Sequence, residues 1–233
     1  MTHVAIICDD SCLQPKLPQF FICKTASISR KDLEALEPEL SPNILVYRRK
    51  SRWLTHAVFA AILRALAVVL SKEAPEKQPI VFLDTCPVHL HRGVLWTLKR
   101  KNLWPMFVPP NLTWLLQPLD PHAFSQYNWT IRQNYSNYLV SHGHPKCPAA
   151  TMIRLAADAT RTVLQGRKWD RCFNSEGFGA NQTQLGHVLK HYDQVLGIQA
   201  DVNPQLDTVL LRWLLPRSSR LPLSLFLPNT RPS

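Results

Sequence analysis

The sequence lacks a hydrophobic run long enough to cross a membrane. Its longest apolar stretch, residues 53–70, is interrupted by His56 and Arg64 and has helical periodicity, which indicates a buried amphipathic helix. The apolar run that follows Met1 is too short for the hydrophobic segment of a signal peptide, and no basic residues precede it. We therefore expect an intracellular protein with no membrane span.

Cysteines are few and scattered, and they form no framework of close pairs. The six are Cys8, Cys12, Cys23, Cys86, Cys147 and Cys172. Disulfide-rich secreted folds need a denser pattern, so we expect reduced thiols. The early cysteines Cys8, Cys12 and Cys23 are also too widely spaced for a zinc site, which needs four ligands in closer pairs.

Acidic residues are scarce relative to basic ones. The chain has 233 residues, with 16 Asp and Glu against 27 Lys and Arg, which gives a net charge of +11. An excess of this size favours a polyanionic partner, most commonly nucleic acid, although an ordinary basic protein can also carry it. Hydrophobic residues make up 45% and charged residues 18%, which indicates a globular protein with a substantial core and excludes a disordered one.

Alternating strands and helices are predicted in the middle of the chain. The predicted strands cover residues 43–47, 79–84 and 104–108, and the predicted helices between them cover 53–72 and 90–101. Such alternation predicts an α/β sheet with right-handed crossovers. Two apolar runs, at residues 4–8 and 19–23, predict earlier strands, and the polar residues 25–42 predict a loop insertion.

The rest of the chain is predicted to be mainly helical. Helices are expected over residues 122–140, 149–164 and 182–196, and the tail over 216–233 is rich in Pro, Arg and Ser, which is typical of disorder. The predicted organisation is a core over 1–145, a helical extension over 146–200, and a last part over 201–233 with a short helix and the disordered tail.

Two carboxylates stand out by their positions. Asp84 ends a wholly apolar strand, and Asp120 follows a loop that closes with Gln-Pro-Leu-Asp. Ligand sites in open α/β sheets gather at the carboxyl ends of strands, and an ionised carboxylate there is costly unless it is paired or binds a cation. Together the two residues would form a hard-oxygen site for Mg²⁺ or Mn²⁺. Taken alone, Asp84 is better explained as a helix-capping residue in a strand-to-helix turn.

The wider strings around these carboxylates resemble two motifs of the DDE superfamily endonucleases, in the form found in pogo- and mariner-like transposases. The string Pro-Ile-Val-Phe-Leu-Asp-Thr-Cys-Pro-Val-His is similar to the second-acid motif, with Asp84 as the acid and His89 five residues on. The string Phe-Val-Pro-Pro-Asn-Leu-Thr-Trp-Leu-Leu-Gln-Pro-Leu-Asp is similar to the third-acid motif and ends at Asp120. The separation, 120 − 84 = 36 positions, is typical of pogo-like members. The resemblance covers roughly residues 2–180.

The resemblance implies a catalytic transposase core with a ribonuclease H-like fold, a mixed sheet flanked by helices with a helical carboxy-terminal extension. In such a core, carboxylates corresponding to Asp84 and Asp120 hold two divalent ions, Mg²⁺ or Mn²⁺, which drive cleavage of DNA and strand transfer. It also implies a nuclear protein that acts on DNA and is compatible with a homodimer. For His89 it leaves two interpretations, an accessory residue near the metal ions or a structural hydrogen bond at a helix start.

The first acid of the family pattern is missing from the chain. In the family it lies on a strand upstream of the segment that residues 3–8 match, so we expect the chain to be amino-terminally incomplete. Asp9 and Asp10 are the local substitutes, but they are predicted to occupy a turn. Without the first acid, metal affinity and activity would be impaired. The alternative function is therefore a catalytically inactive, nucleic-acid-binding relic or domesticated domain.

Two basic clusters are candidates for contact with phosphates. They consist of Arg48, Arg49, Lys50 and Arg52, and of Lys99, Arg100 and Lys101. Either cluster can equally be a solvated run of charge. Four tryptophans could stack on bases, although at their spacing core packing is the commoner role. They are Trp96, Trp104, Trp114 and Trp129.

Overall fold

Five strands form two separate sheets in the computed structural model, which describes residues 1–110, 113–143, 147–175 and 178. The strands are β1 (Thr2–Val4), β2 (Gln19–Lys24), β3 (Ile44–Arg49), β4 (Ile80–Asp84) and β5 (Trp104–Val108). The first sheet has the order β1-β2-β3, with β1 antiparallel and β3 parallel to β2. The second sheet pairs β4 with β5 in parallel. The predicted mixed α/β class is thus confirmed, but β3 and β4 do not share a sheet as the alternation predicted.

Helices lie around both sheets. They are α1 (Arg30–Leu36), α2 (His56–Glu73), α3 (Arg92–Arg100), α4 (Thr113–Leu116), α5 (Phe124–His142), α6 (Ala149–Ala159) and α7 (Asp170–Ser175). The π-helical segments Leu119–Ala123 and Thr160–Gln165 precede α5 and follow α6. Among the described residues no helix is long and apolar enough to cross a membrane. The helix predicted over 182–196 and the tail predicted over 216–233 lie outside the described residues.

The central strand β2 is buried on both faces, as its apolar sequence requires. Phe20 and Ile22 on one face pack into the same cluster as Ile62 of α2. On the other face, Phe21 and Cys23 pack in a cluster with α1 and α6. Helices therefore cover this sheet from both sides, and the first sheet has a core above and below it.

Strand β4 is also enclosed by helices. Leu83 packs in one cluster with Leu63 of α2 and Leu98 of α3. Phe82, which points to the opposite face, lies 6.1 Å from Phe173 and 4.3 Å from Phe178, measured between ring centroids. Because both faces of β4 are anchored, its last residue is held firmly at the carboxyl edge of the sheet.

The first strand is shorter than predicted, because side chains replace its ladder of hydrogen bonds. The sequence predicted a strand over residues 4–8, but β1 ends at Val4. Beyond it, the Ile6 N–H donates to Gln19 Oε1 at 3.0 Å, and Gln19 Nε2 donates back to the Ile6 carbonyl at 2.7 Å. The Cys8 N–H donates to Gln14 Oε1 at 2.6 Å. Two buried glutamines thus satisfy this backbone where a partner strand otherwise would.

The polar segment over residues 25–42 is not a plain loop. It contains α1, whose start is capped by Ser29, because the Ser29 hydroxyl accepts a hydrogen bond from the Asp32 N–H. Leu33 and Leu36 on α1 are buried. The cap and the spacing of these two leucines were the available signals for a helix, and the flanking prolines obscured them.

Candidate functional site

Asp84 is the last residue of β4 and marks the carboxyl edge of the second sheet. In register it lies opposite Val108, the last residue of β5. The strand before it is apolar, and β-strand alternation turns Leu83 into the core while Asp84 remains 39% exposed. The strand therefore places one carboxylate at the carboxyl edge of the sheet, next to a residue that is buried in the core.

The loop after β4 fixes the orientation of Asp84. Asp84 Oδ1 accepts a hydrogen bond from the Cys86 N–H at 3.0 Å, and it lies 2.6 Å from His89 Nδ1. The loop is closed by a turn in which the His89 N–H donates to the Cys86 carbonyl at 3.0 Å. His89 is only 14% exposed, and its ring packs against Phe59 of α2 at 4.4 Å between centroids.

These contacts keep Asp84 ionised. Partial burial opposes ionisation, but the hydrogen bond from the Cys86 N–H and the proximity of His89 outweigh it. The pKa of Asp84 therefore lies below its ordinary value. The contacts from the Cys86 N–H and from His89 both fall on Oδ1, and the side chain of Cys86 makes a further hydrogen bond with the carboxylate.

Asp120 enters the site from a different element. It lies in the first turn of the π-helical segment Leu119–Ala123, where its N–H donates to the Gln117 carbonyl at 2.9 Å. Burial and the negative charge of Asp84 raise the pKa of Asp120. Asp84 is the stronger acid and ionises first. Its negative charge then makes Asp120 harder to deprotonate. Two carboxylates from separate motifs are thus within range of each other's charge.

The carboxylate of Asp120 has no hydrogen-bonding or ionic side-chain partner within the described part of the chain. A half-buried carboxylate next to a second one, without a counter-charge, is unfavourable unless a cation joins them. This is the electrostatic arrangement expected of a site that binds a divalent cation.

Three kinds of metal-binding group lie together at Asp84: a carboxylate, a thiol and an imidazole. Atoms of Asp84, Cys86 and His89 all lie within 4.8 Å of one another, close enough to share one ion. Mg²⁺ and Mn²⁺ prefer carboxylate oxygens, whereas a thiolate and an imidazole suit zinc. Partial burial raises the pKa of the Cys86 thiol, which keeps it protonated and a poor ligand. Asp120 is not part of this group, and within the group only Asp84 offers the oxygen ligand that a hard divalent ion prefers.

The proposed substitutes for a further acid are not part of this site. Asp10 is bonded to Lys77 at 2.6 Å, and its carboxylate also accepts from the Cys12 N–H at 2.8 Å. Lys77 precedes β4, so this ion pair lies near the amino end of that strand, opposite Asp84. The hydrogen bond from Lys77 lowers the pKa of Asp10. Asp10 has a structural role in a turn, and Asp9 beside it is exposed.

The first basic cluster is partly structural. Arg48 Nε donates to the Ile28 carbonyl at 2.9 Å, so its guanidinium holds the connection before α1. Arg49, Lys50 and Arg52 are exposed, and no described acid pairs with them.

The second cluster is exposed throughout, at the carboxyl end of α3. The guanidinium carbon of Arg100 lies 5.0 Å from the ring centroid of Trp96, and Lys99 and Lys101 flank it. The sequence signal for this pairing was the spacing of Trp96 and Arg100, four residues apart on one helix.

A contact between two histidines near the site, His56 and His91, was not predicted from the sequence. His91 is exposed, as expected, but its Nδ1 accepts from the Gly93 N–H at 3.1 Å and so caps α3. Its ring stacks on His56, the first residue of α2, at 3.7 Å between centroids. Residues 35 positions apart, 91 − 56, meet only because α2 and α3 pack side by side.

Comparison with known proteins gives one match. The sequence model of the family described as DDE superfamily endonuclease matches residues 3–164. No curated protein and no solved structure matches the chain. The matched segment contains both carboxylates, the loop between Asp84 and His89, all of β2 to β5, and β1 except for its first residue.

Proposed function

Since the chain belongs to the DDE superfamily endonucleases, we propose that it cleaves phosphodiester bonds in DNA with the help of a divalent cation, Mg²⁺ or Mn²⁺, held by Asp84 and Asp120. The observation that carries this proposal is that burial and the negative charge of Asp84 raise the pKa of Asp120, which couples carboxylates from two separate motifs electrostatically. A transposase activity, with strand transfer after cleavage, and a ribonuclease H-like arrangement of the core are the finer forms of the same proposal.

The two carboxylates have different tasks in this function. Asp84 is held in place by Cys86 and His89 through Oδ1 and would offer a carboxylate oxygen to the ion. Asp120 contributes a carboxylate without another partner among the described residues. A bound divalent ion would polarise the phosphate and the attacking oxygen. Before any ion binds, the repulsion between the two acids raises the free energy of the empty site, which favours binding of a cation.

His89 acts as a positioning residue in this proposal. Its Nδ1 lies 2.6 Å from Asp84 Oδ1, and the ring is immobilised against Phe59. Such outer contacts orient ligands, and their loss typically lowers metal affinity or activity about 10- to 100-fold. The two earlier interpretations of His89, accessory residue and structural hydrogen bond, are compatible, since one contact serves both.

The basic clusters supply the surface for DNA in this proposal. Arg49, Lys50 and Arg52 form one patch and Lys99, Arg100 and Lys101 another, and both are exposed. Arg48 is excluded from this role because it bonds the Ile28 carbonyl. Phosphate contacts of this kind give affinity without sequence preference.

Nicking of supercoiled plasmid DNA by the purified chain tests the catalytic assignment. With Mg²⁺ or Mn²⁺ present, Asp84→Asn and Asp120→Asn should each lower the rate by about a hundredfold or more, since loss of outer contacts alone costs up to that much. Asp158→Asn is the matched control, because Asp158 is a half-exposed acid that pairs with Arg161 away from the site. Nicking that survives both site substitutions would contradict the assignment.

A second candidate function is binding of nucleic acid without cleavage. It is favoured by one observation: Asp10, the acid considered as a substitute for the missing one, forms an ion pair with Lys77. Titration of the parent chain with Mn²⁺ by calorimetry separates the two functions. Metal binding that disappears in Asp120→Asn, together with nicking, supports the nuclease. DNA binding with neither metal binding nor nicking supports the alternative.

A further inference from the structure

A shallow groove of about 240 Å³ lies between α2 and α3, on the outer surface of the helical layer. It is lined by Arg64, Trp96, Thr97, Arg100 and Lys101. Arg64 comes from α2 and the others from α3 and its end. The groove thus combines three cations with one large aromatic ring.

Trp96 is not required for the core. Its side chain is 57% exposed, whereas Val94 and Leu98 on the same helix are fully buried and pack in one cluster with α2 and β4. The Arg100 guanidinium lies 5.0 Å from the ring centroid, over one face of the indole. An exposed tryptophan set among cations offers its other face as a stacking surface for a flat ligand.

The cations of the groove have no counter-charge. Among the described residues, no acid forms an ion pair with Arg64, Arg100 or Lys101. No Asp or Glu occurs anywhere in residues 40–72 or 85–119, which include both walls of the groove. Elsewhere in the described chain cations pair readily, as Lys16 does with Glu73 and Lys77 with Asp10; further pairs are Arg154–Glu39 and Arg161–Asp158. The excess positive charge here calls for an anionic ligand.

The groove is separate from the carboxylate site. Helix α3 begins at Arg92, close to the loop that follows Asp84, and runs away from it. With a rise of about 1.5 Å per residue, Arg100 lies about 12 Å along the helix from Arg92. A ligand that occupies the groove is therefore a second contact and not part of the metal site.

We propose that this groove binds a single strand of nucleic acid, with one unpaired base stacked on Trp96 and the neighbouring phosphates against Arg64, Arg100 and Lys101. A duplex presents its phosphates and base edges but not the face of a base, so it cannot use the indole. The inference rests on the proposed function for the identity of the ligand as a DNA strand. It adds that the protein holds an unpaired segment of that strand, away from the carboxylates.

Fluorescence anisotropy with three labelled probes tests the proposal in EDTA. The probes are an oligothymidylate, an abasic oligonucleotide of equal length, and a duplex. Trp96→Ala should weaken binding of oligothymidylate about tenfold, in line with the loss of one stacked base, and should change binding of the abasic strand and the duplex less than twofold. Arg100→Ala should weaken both single strands and lower the slope of log affinity against log salt by about 0.7.

Two substitutions serve as controls. Trp96→Phe keeps an aromatic face and should retain most of the difference between thymidylate and abasic strands. Trp129 is similarly exposed, at 62%, and lines another groove, but that groove has one cation, Arg167, which is bonded to Gln126. Trp129→Ala should therefore leave binding unchanged.

The proposal is overturned if Trp96→Ala weakens the thymidylate and abasic probes equally, or if Trp129→Ala has the same effect. Its failure is distinguishable from failure of the nuclease assignment. Asp84→Asn should keep the full Trp96-dependent preference for thymidylate in EDTA, and loss of nicking in that variant leaves the groove unaffected.

Discussion

The buried histidine in β1 makes the stability of this protein sensitive to acid. His3 packs its ring 4.5 Å from that of Phe21 and 5.0 Å from that of Tyr127, measured between centroids. Both ring nitrogens are out of contact with solvent and have no hydrogen-bond partner in the described residues. Burial lowers the pKa of His3 to about 3. Gln19 opposes the shift weakly, since both polar atoms of its amide bond the backbone of Ile6.

The direction of the effect follows from proton uptake. The folded protein keeps His3 neutral down to about pH 3, whereas the unfolded chain protonates it below about pH 6.5. The contribution of neutral His3 to the free energy of unfolding is thus fully present above pH 6.5, and it is lost as the pH falls from there towards 3. At pH 5 the loss is about 1.5 pH units at about 1.36 kcal/mol each, or about 2 kcal/mol. This figure requires only that the folded pKa lie well below 5.

Urea denaturation at pH 7.5 and pH 5 measures this loss. His3→Leu removes the titrating group with a side chain of similar size and leaves no polar partner unsatisfied, because none is bonded to the ring in the described chain. Between pH 7.5 and pH 5, the free energy of unfolding of the variant should fall by about 2 kcal/mol less than that of the parent. His142→Gln, a change at an exposed helix end, should behave as the parent. Equal acid sensitivity of His3→Leu and the parent would refute the reasoning.

Two further predictions concern a functional and a structural polar group. Asp120→Asn should raise the free energy of unfolding in EDTA by on the order of 1 kcal/mol or less, because it removes both a partly buried charge and its repulsion from Asp84 and because solvent screens these effects; a destabilised variant would contradict the absence of a favourable partner. Gln14→Ala should lower it by about 2–4 kcal/mol, because the Cys8 N–H loses its acceptor and a fully buried side chain leaves a cavity. A loss below about 1 kcal/mol in urea denaturation would show that this glutamine is dispensable.

Elements with a strong apolar pattern could be predicted from sequence. The strand that ends at Asp84 and the helix that follows it have the predicted order and nearly the predicted bounds. The reason is physical, since an apolar strand is stabilised by packing against helices, as Leu83 and Phe82 do here on opposite faces, and its terminal acid is left at the edge. The family, inferred from the strings around Asp84 and Asp120, is confirmed by the match to the family.

Features that depend on tertiary contacts could not be predicted. The early termination of β1 depends on Gln14 and Gln19, and nothing in their local sequence shows that their amides will replace a strand partner. The stack of His56 on His91 depends on the packing of α2 against α3. Amphipathic patterns report which face of an element is buried, but they do not report which partner it meets.

The pairing of charges separates structural groups from candidate functional ones in this chain. Asp10 and Glu39 each bond a distant cation, Lys77 and Arg154, and so tie elements together. Asp120 has no such partner in the described residues, nor do the cations beside Trp96. The acid and the cations lie on different elements, and they carry charges of opposite sign that favour different ligands. A divalent cation would suit the carboxylates and a phosphate would suit the groove, so one nucleic-acid strand could contact the protein at two separate places.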